Sequence, residues 1–399
     1  MFKKVLSVFM AAAMLLSFAG VFAYAQEPAA ASSLQFDSNG EFKILVFADC
    51  QDAYPMQEAM LQYMNEVLDD VRPDIVVFDG DNVVSPDVRG FEQLLSPLTS
   101  RGIPFTFVFG NHDWESAQDP ANNYTPTKED LLAEYRKYDG CLAYDADPSL
   151  HGCATHNLTV ASSTDPDKVA FNLWMFDSGD YATYADGSSG YDCVRRDQVE
   201  WYKNVSAQLE RENGGKVPSI AFQHIITQEV CEKAFLKVPF GLGEITYNFS
   251  DGSHYLKVPQ AYAFKGAAFE ASCPSMDNEG QWDAFVERGD VLACVFGHDH
   301  INDFELDVNG VDALQSPAIT YHSYSKNSNK GARLITVKEN DPRNYETEIL
   351  YIYDYALKDG SQIAGLSDCD KSYYVWGKIF HFIVYTFVDV MNIFSFLAK

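Results

Sequence analysis

Residues 74–81 read DIVVFDGD, an unbroken apolar run at Ile75–Phe78 closed by Asp79-Gly80-Asp81. A run without polar alternation fits a strand buried on both faces. The design recurs. FKILVFAD (42–49) ends in Asp49, and PFTFVFG (104–110) leads into Asn111-His112-Asp113. Phe171–Asp177 is a further strand, SIAFQH (219–224) ends in His224, and VLACVF (291–296) runs into Gly297-His298-Asp299-His300. Helical patterns lie between them. Met56, Ala59, Met60, Tyr63, Met64, Val67, Leu68 and Val71 recur at helical spacing, bracketed by Pro55 and Pro73. Phe91–Arg101, Arg196–Glu212 (stopped by Gly214) and Asp283–Arg288 are the next helices. Continuous apolar strands alternating with helices predict the α/β class, with sheets covered on both faces.

Two stretches break the alternation. Residues 114–169 are polar and rich in Asn, Asp, Pro and Tyr, with a helix near Glu129–Tyr138; they read as an insertion over the site. Residues 225–275 read as a second insertion, rich in Gly and aromatics. Asn309-Gly310 signals a hairpin, and Ala332–Lys338 and Glu346–Tyr355 read as strands that complete a domain spanning 42–357.

The two ends differ from this body. Lys3 and Lys4, the apolar run Val5–Phe22 and Ala23-Tyr24-Ala25 read as a signal peptide over 1–25 rather than a membrane anchor. Residues 26–41 read as a flexible leader. Within 371–399, Trp376–Ala398 is almost wholly apolar, broken by Lys378, His381, Asp389, Asn392 and Ser395. That is a helix with a narrow polar stripe, about 35 Å long at 1.5 Å per residue. The charge of Asp389 argues against a simple span. Contact with a membrane surface or a partner, and packing on the domain's own core, both stay open.

Composition narrows the function. The 399 residues carry a net charge of −28, which repels phosphate backbones and counts against nucleic-acid partners. A phosphate-handling site on such a chain needs local positive charge, and bound cations supply it. Export allows disulfides among the 8 cysteines; Cys141 with Cys153 and Cys231 with Cys273 are plausible pairs. Cys50 and Cys294 fall inside core strands and read as free buried thiols.

The polar residues at the strand ends carry the chemistry. In open α/β sheets ligands bind at the carboxyl ends of strands. Five loops therefore deliver Asp49, Gln51, Asp81, Asn111, His224, His298 and His300 to one crevice, with His112 and Asp113 beside them. Oxygen and imidazole donors without thiolate suit Mn, Fe or Zn. Any of these short motifs alone is more often a turn; their joint occurrence in this order is not.

In that order and spacing the chain resembles the calcineurin-like metallophosphoesterase superfamily, whose signature runs DxH, GD, GNH[DE], H, GHxH. The resemblance covers about residues 42–303. FDSGDY (176–181), AFQHI (221–225) and GHDHINDF (297–304) resemble the branch related to purple acid phosphatases of plants and fungi. It implies a four-layer α/β/β/α sandwich with two mixed central sheets and two divalent or trivalent metal ions. It implies that Asp81 bridges the pair, that Asp49 and His300 hold the first ion, and that Asn111, His224 and His298 hold the second. It places His112 beside the scissile ester. Two positions depart from the pattern. Gln51 stands where the family has His, a weaker donor that favours a looser or harder first ion. Val84 stands where the purple enzymes have Tyr, so no tyrosinate colour is expected.

Two adjacent cations lower the pKa of a shared water, which attacks phosphorus in line. The expected activity is hydrolysis of a small phosphorylated substrate outside the cell. His112 is the candidate general acid, and Asp113 either orients it or simply ties the loop. Asp177 and Asp180 are expected to shape the rim. His254, His322 and Tyr321 are candidate substrate contacts, although loop residues of this kind more often lie simply at the surface; His151 and His156 have a weaker claim still. A binder of a phosphorylated ligand with a degenerate metal site is the alternative, motivated by Gln51 and the apolar C-terminal stretch. A nuclease is disfavoured by the absence of a basic stripe.

Overall fold

The apolar runs form two sheets stacked face to face. β1 (Glu41–Phe47), β2 (Ile75–Asp79) and β3 (Phe105–Val108) are parallel neighbours; β15 (Gly331–Lys338) runs antiparallel to β1, and β16 (Glu346–Tyr351) closes that edge. The first sheet thus has the order β16-β15-β1-β2-β3. In the second, β5 (Val169–Met175), β8 (Ser219–Gln223), β12 (Val291–Phe296) and β14 (Val311–Gln315) are parallel, with antiparallel edges β4 (His156–Ala161) and β13 (Glu305–Val308). Its order is β13-β14-β12-β8-β5-β4. This computed structural model describes residues 34–85, 87–113, 126–238, 244–247, 254–259, 264–358 and 371–397; the expected signal peptide lies outside them.

Successive strand residues point to opposite faces, which explains the layers. From β1, Phe42, Ile44 and Val46 enter the core between the sheets, against Phe171, Leu173, Ile220 and Val295. Leu45 and Phe47 point the other way, into a core roofed by α1 (Glu58–Val71), α2 (Val88–Thr99), α3 (Lys128–Tyr135) and α7 (Ile352–Lys358). The outer face of the second sheet packs Trp174, Phe176 and Phe296 under α4 (Arg196–Asn213), α5 (Gln228–Ala234) and α6 (Gln281–Arg288). The result is the four-layer α/β/β/α sandwich that the resemblance implies. On α1 the buried face is Ala59, Met60, Tyr63, Met64, Val67, Leu68 and Val71, the residues whose spacing predicts the helix. Each large side chain among them contributes about 1.5–3 kcal/mol of burial.

Several boundaries differ from the sequence expectation. Residues 34–40, expected in the leader, include buried Leu34 and Phe36, and Gln35 bridges Ala161 beside β4. Leu-Gln-Phe alternates with period two, a short strand signal. Residues 126–169, expected as an insertion over the site, supply α3 and edge strand β4, while Leu142 N–H donates to Phe105 O beside β3. The strand expected over 346–355 ends at Tyr351, which pairs with Gly331, the first residue of β15. With no partner strand beyond that rung, the chain turns into α7, burying Ile352, Tyr353, Tyr355 and Ala356. Asn309 and Gly310 take φ of 59° and 87° in the β13–β14 turn, the left-handed pair that a two-residue hairpin needs. The expected bridges Cys141–Cys153 and Cys231–Cys273 are absent; the seven described cysteines are free thiols, Cys50 and Cys294 among them as expected.

Two small hairpin elements flank the sandwich. β6 (Tyr181–Thr183) pairs with β7 (Ser189–Tyr191), and β9 (Phe235–Val238), β10 (Glu244–Tyr247) and β11 (His254–Pro259) form a sheet within 225–275. The C-terminal α8 (Lys371–Leu397) is tied at its start, where Tyr374 is buried and its hydroxyl donates to Asp303 at 2.8 Å. Beyond it, Trp376, Phe380, Phe382, Ile383 and Phe387 are exposed. Among the described residues no helix is long and apolar enough to cross a membrane.

Candidate metal centre

The strands β1, β2 and β3 of one sheet and β8 and β12 of the other end at one edge of the sandwich. Their next residues meet there. Asp49 N–H donates to Gly80 O at 3.2 Å, and Gln51 N–H to Asp81 O at 2.6 Å. His298 N–H donates to the Asp49 carboxylate at 3.1 Å, across 249 residues of chain. His112 N–H donates to Asp81 Oδ1 at 2.7 Å.

This closeness needs residues without Cβ. A Cβ on Gly110 would stand 2.2 Å from Asp81 Oδ1, and one on Gly297 2.7 Å from Asp79 O. Backbone strain collects in the same place. The φ angle is 48° at Asp49, 34° at Gln51, 49° at Asp81 and 73° at His298. Such conformations cost about 1–3 kcal/mol each and persist where their surroundings enforce them.

The side chains converge as well. Ligand atoms of Asp49, Asp81 and His300 all lie within 4.8 Å of one another. His224 Nε2 is 3.3 Å from Asp81 Oδ2 and 3.9 Å from Asp49 Oδ1; His300 Nε2 is 3.3 Å from Asp49 Oδ1. The other nitrogen of each ring is anchored on a backbone carbonyl. His224 Nδ1 donates to Asp79 O at 2.9 Å, and His300 Nδ1 to Tyr324 O at 2.6 Å. That fixes the tautomer and leaves Nε2 facing the carboxylates, the arrangement of metal-ligating histidines. The His298 ring packs edge-on against His224 at 5.1 Å.

Whether cations fit is decided by what the protein leaves unpaired. Gln51 Oε1 and Asn111 Oδ1 are buried acceptors without a hydrogen-bond partner, and His224 Nε2 faces only the Asp81 and Asp49 carboxylates, 3.3 and 3.9 Å away. An orphaned buried acceptor costs about 1–3 kcal/mol, which a cation among them removes. Oxygen and nitrogen donors of this kind fit Mn, Fe or Zn. Burial lowers the proton affinity of His224, but Asp81 and then Asp49 outweigh it and carry its pKa to about 10. Burial likewise opposes, and Asp49 overcomes, a rise of His300 to about 9. For His298 burial, reinforced by the charge of His224, pushes the pKa well down. The first two rings thus sit where positive charge is demanded, by a proton or by a metal ion.

Asp113 is buried among backbone donors. Its Oδ1 accepts from Asn82 N at 2.7 Å and Val83 N at 3.3 Å, and its Oδ2 from Gly110 N at 2.8 Å. It ties the Gly80 and Gly110 loops together, the loop-tying one of the two roles expected for it. Burial, then Asp81, raises its pKa to about 7. His112 is half-buried at the crevice.

The remaining candidates spread out. His322 is half-exposed, its Nδ1 3.7 Å from buried Asp52, and its loop is tied in by the Thr320 hydroxyl donating to Gln51 O at 3.2 Å. Tyr321 packs under Lys330, whose Nζ lies 3.7 Å from its ring centre. His254 lies on β11, opposite Tyr247; its side chain is outside the described part. His151 is an exposed partner of Asp192 at 3.0 Å, and His156 is a core residue hydrogen-bonded to Thr106 and Ala154. Asp177 and Asp180 clamp Lys128 at 3.0 and 2.8 Å. Val84, in the place of the purple enzymes' tyrosine, is buried, and Tyr54 lies beneath Arg89 with the guanidinium 4.0 Å from its ring centre.

Three tyrosines at the site escaped sequence reasoning. Tyr324 stacks flat on His300, centroids 4.1 Å apart; Tyr191 meets His298 edge-on at 4.4 Å; the Tyr181 hydroxyl accepts from Asn111 Nδ2 at 3.1 Å. Tyr181 closes the FDSGDY segment and Tyr324 lies two residues from His322, so proximity was their signal, and Tyr191 carried none.

Fold and crevice together define an α/β sandwich with a multi-residue candidate site for divalent cations at its strand ends. The calcineurin-like phosphoesterase family profile matches residues 42–302, and the chain belongs to that family. Among curated proteins it is similar to "Probable inactive purple acid phosphatase 29" of Arabidopsis thaliana, 28% identical over 345 residues that cover 78% of this chain and 80% of the relative. It is also similar to "Phosphatase DCR2" of Saccharomyces cerevisiae, 25% identical over 299 residues covering 69% of this chain and 46% of that protein. Among solved structures, a dimetal phosphatase from Danio rerio aligns over 78% of this chain and 98% of its own, with 12% identity and a TM-score of 0.44.

Proposed function

We propose that this chain is an exported metal-dependent phosphoesterase acting on a small phosphorylated substrate. One observation supports the reading: Asp49, Asp81, His224 and His300 converge at the strand ends with His298 packed on His224, and Gln51 Oε1 and Asn111 Oδ1 are buried without a hydrogen-bond partner. Asp49, Gln51 and His300 would hold one cation, Asn111, His224 and His298 the other, and Asp81 would serve both. Two cations, when bound, supply an activated water and neutralise the phosphoryl oxygens. The protein's own groups do the rest. Carbonyl anchors at Asp79 and Tyr324 hold the two imidazoles in one tautomer. Asp113 sets the loop that carries His112, and His112 donates a proton to the leaving alkoxide. The test is hydrolysis of an aryl phosphate by metal-stripped protein reloaded with Mn, Fe or Zn; folded, reloaded protein without turnover overturns it.

A second reading has its own observation. The name of the Arabidopsis relative contains "probable inactive", and Gln51 stands where the family has histidine, a stronger donor. On that reading the crevice binds a phosphorylated ligand without hydrolysing it. Phosphate binding by calorimetry, with no turnover and one ion or none retained, selects it.

The exposed face of α8 belongs to the proposal as the surface that meets a membrane. Trp376, Tyr373 and Phe380 beside Lys371 and Lys378 have the composition of an interfacial helix. Flotation with phosphatidylcholine vesicles tests it, and protein that stays behind rejects it.

A further inference from the structure

The β6–β7 hairpin touches two of the proposed second-cation ligands and is built rigidly to do so. Its last rung pairs Tyr181 with Tyr191, and their rings stack with centroids 5.6 Å apart. From that pair, the Tyr181 hydroxyl receives the Asn111 Nδ2–H at 3.1 Å, and the Tyr191 ring braces His298 at 4.4 Å. The base is pinned. Tyr184 donates its hydroxyl to Tyr191 O at 2.8 Å and accepts from Met276 N at 3.1 Å. Asp192, next in the chain, binds His151 at 3.0 Å and also pairs with Arg195. The first-cation ligand His300 is supported elsewhere, by Tyr324.

An amide has two ends of similar shape and opposite polarity, so something must decide which end of Asn111 faces the crevice. With Nδ2 committed to Tyr181, Oδ1 is the end left buried and unpaired. We propose that Tyr181 is a positioning residue for the second cation: its hydroxyl takes the Asn111 amide nitrogen and so aims the carbonyl oxygen at the metal. This rests on the two-cation reading of the crevice. Loss of such a supporting partner weakens a metal site about 10- to 100-fold.

Tyr181→Phe in the full chain tests it. The ring is 44% exposed, so losing the hydroxyl spares the core, and Phe keeps the stack on Tyr191. Stepwise Mn titration by calorimetry, with electron paramagnetic resonance to tell a coupled pair from an isolated ion, reads each site separately. The expected result is an unchanged first step and a second step weakened about 10- to 100-fold, with the coupled signal replaced by an isolated one at the same Mn level. Thr183→Ala, an exposed change on the same hairpin, keeps both steps. An unchanged second step in Tyr181→Phe overturns the proposal, as does equal weakening of both steps. Wild-type protein that binds fewer than two ions instead rejects the two-cation reading itself.

Discussion

Gly80 is where the structure makes its sharpest demand on a single residue. Its φ is 84°, and a Cβ there would stand 2.3 Å from His224 Nδ1 and 2.5 Å from its Cγ. Ordinary contact begins near about 3.5 Å, so Gly80→Ala forces the ring back by about 1 Å. The ring has nowhere to go. It is fully buried, its Nδ1 is bonded to Asp79 O at 2.9 Å, and His298 packs on it. Three costs combine: about 1–2 kcal/mol for an L-residue in left-handed backbone, about 1–3 for overpacking, and about 1 for the strained hydrogen bond. The expected destabilisation is therefore about 3–6 kcal/mol. Gly214→Ala separates the terms, because Gly214 has φ of 70° and no heavy atom within 4 Å of its added Cβ. That variant should lose only the backbone term, about 1–2 kcal/mol, and keep its cations. Urea unfolding gives the stabilities, and Mn calorimetry the affinities. Should Gly80→Ala match Gly214→Ala in both, the packing of His224 against the Gly80 loop is wrong.

Four further outcomes follow from the same geometry. His112→Ala should cut kcat about 100- to 10,000-fold on alkyl phosphates, whose leaving group needs a proton, and far less on aryl phosphates; equal losses on both remove its role as acid. Asp113→Asn puts an amide N–H against backbone donors at Gly110 or Asn82, so it should cost about 1.5–3 kcal/mol of stability in urea; a fall in kcat at unchanged stability would restore its catalytic reading. Removing cations should lower the unfolding midpoint, and Mn at about 100 times its dissociation constant should restore about 2.7 kcal/mol; a midpoint indifferent to Mn speaks against any bound ion. Burial lowers the pKa of His156 from 6.5 to about 4. Below 6.5 the unfolded chain takes up a proton that the folded one refuses, so this contribution is complete above 6.5 and fades as pH falls toward 4. It amounts to about 3 kcal/mol, and His156→Gln should flatten the stability slope between pH 6.5 and 5.

What could be read early and what could not follows from the range of the interactions. The runs 44–48, 75–78 and 291–296 are apolar throughout because both faces of each strand are covered, so a local pattern reports a global fact. The same logic fails at Glu346–Tyr355. Its apolar residues suit a strand or a helix, and the end of β15 at Gly331 decides where one becomes the other. The cysteines fail for a related reason: closeness in sequence made Cys141 and Cys153 look paired, whereas packing buries Cys153 in a helical core as a free thiol. At the site, the joint order of Asp, Asn and His after buried strands announced the candidate ligands, since each motif alone is more often a turn. Asp113 was ambiguous because one carboxylate can serve a neighbouring ring or a backbone, and only coordinates show three N–H groups aimed at it.

By itself, then, the chain's order of residues determined the alternation of layers, the edge at which the site lies and the donor atoms brought to it. These are encoded by side-chain chemistry and by periods of two and 3.6 residues. The tertiary structure decided which way the amide of Asn111 faces, which nitrogen of His224 and His300 is left open, and that Tyr181, Tyr191 and Tyr324 support them. Those choices depend on contacts between segments as far apart as Asp49 and His298, 249 residues along the chain. Orientation at such a distance is set by the closing of two sheets upon each other, and no local pattern carries it.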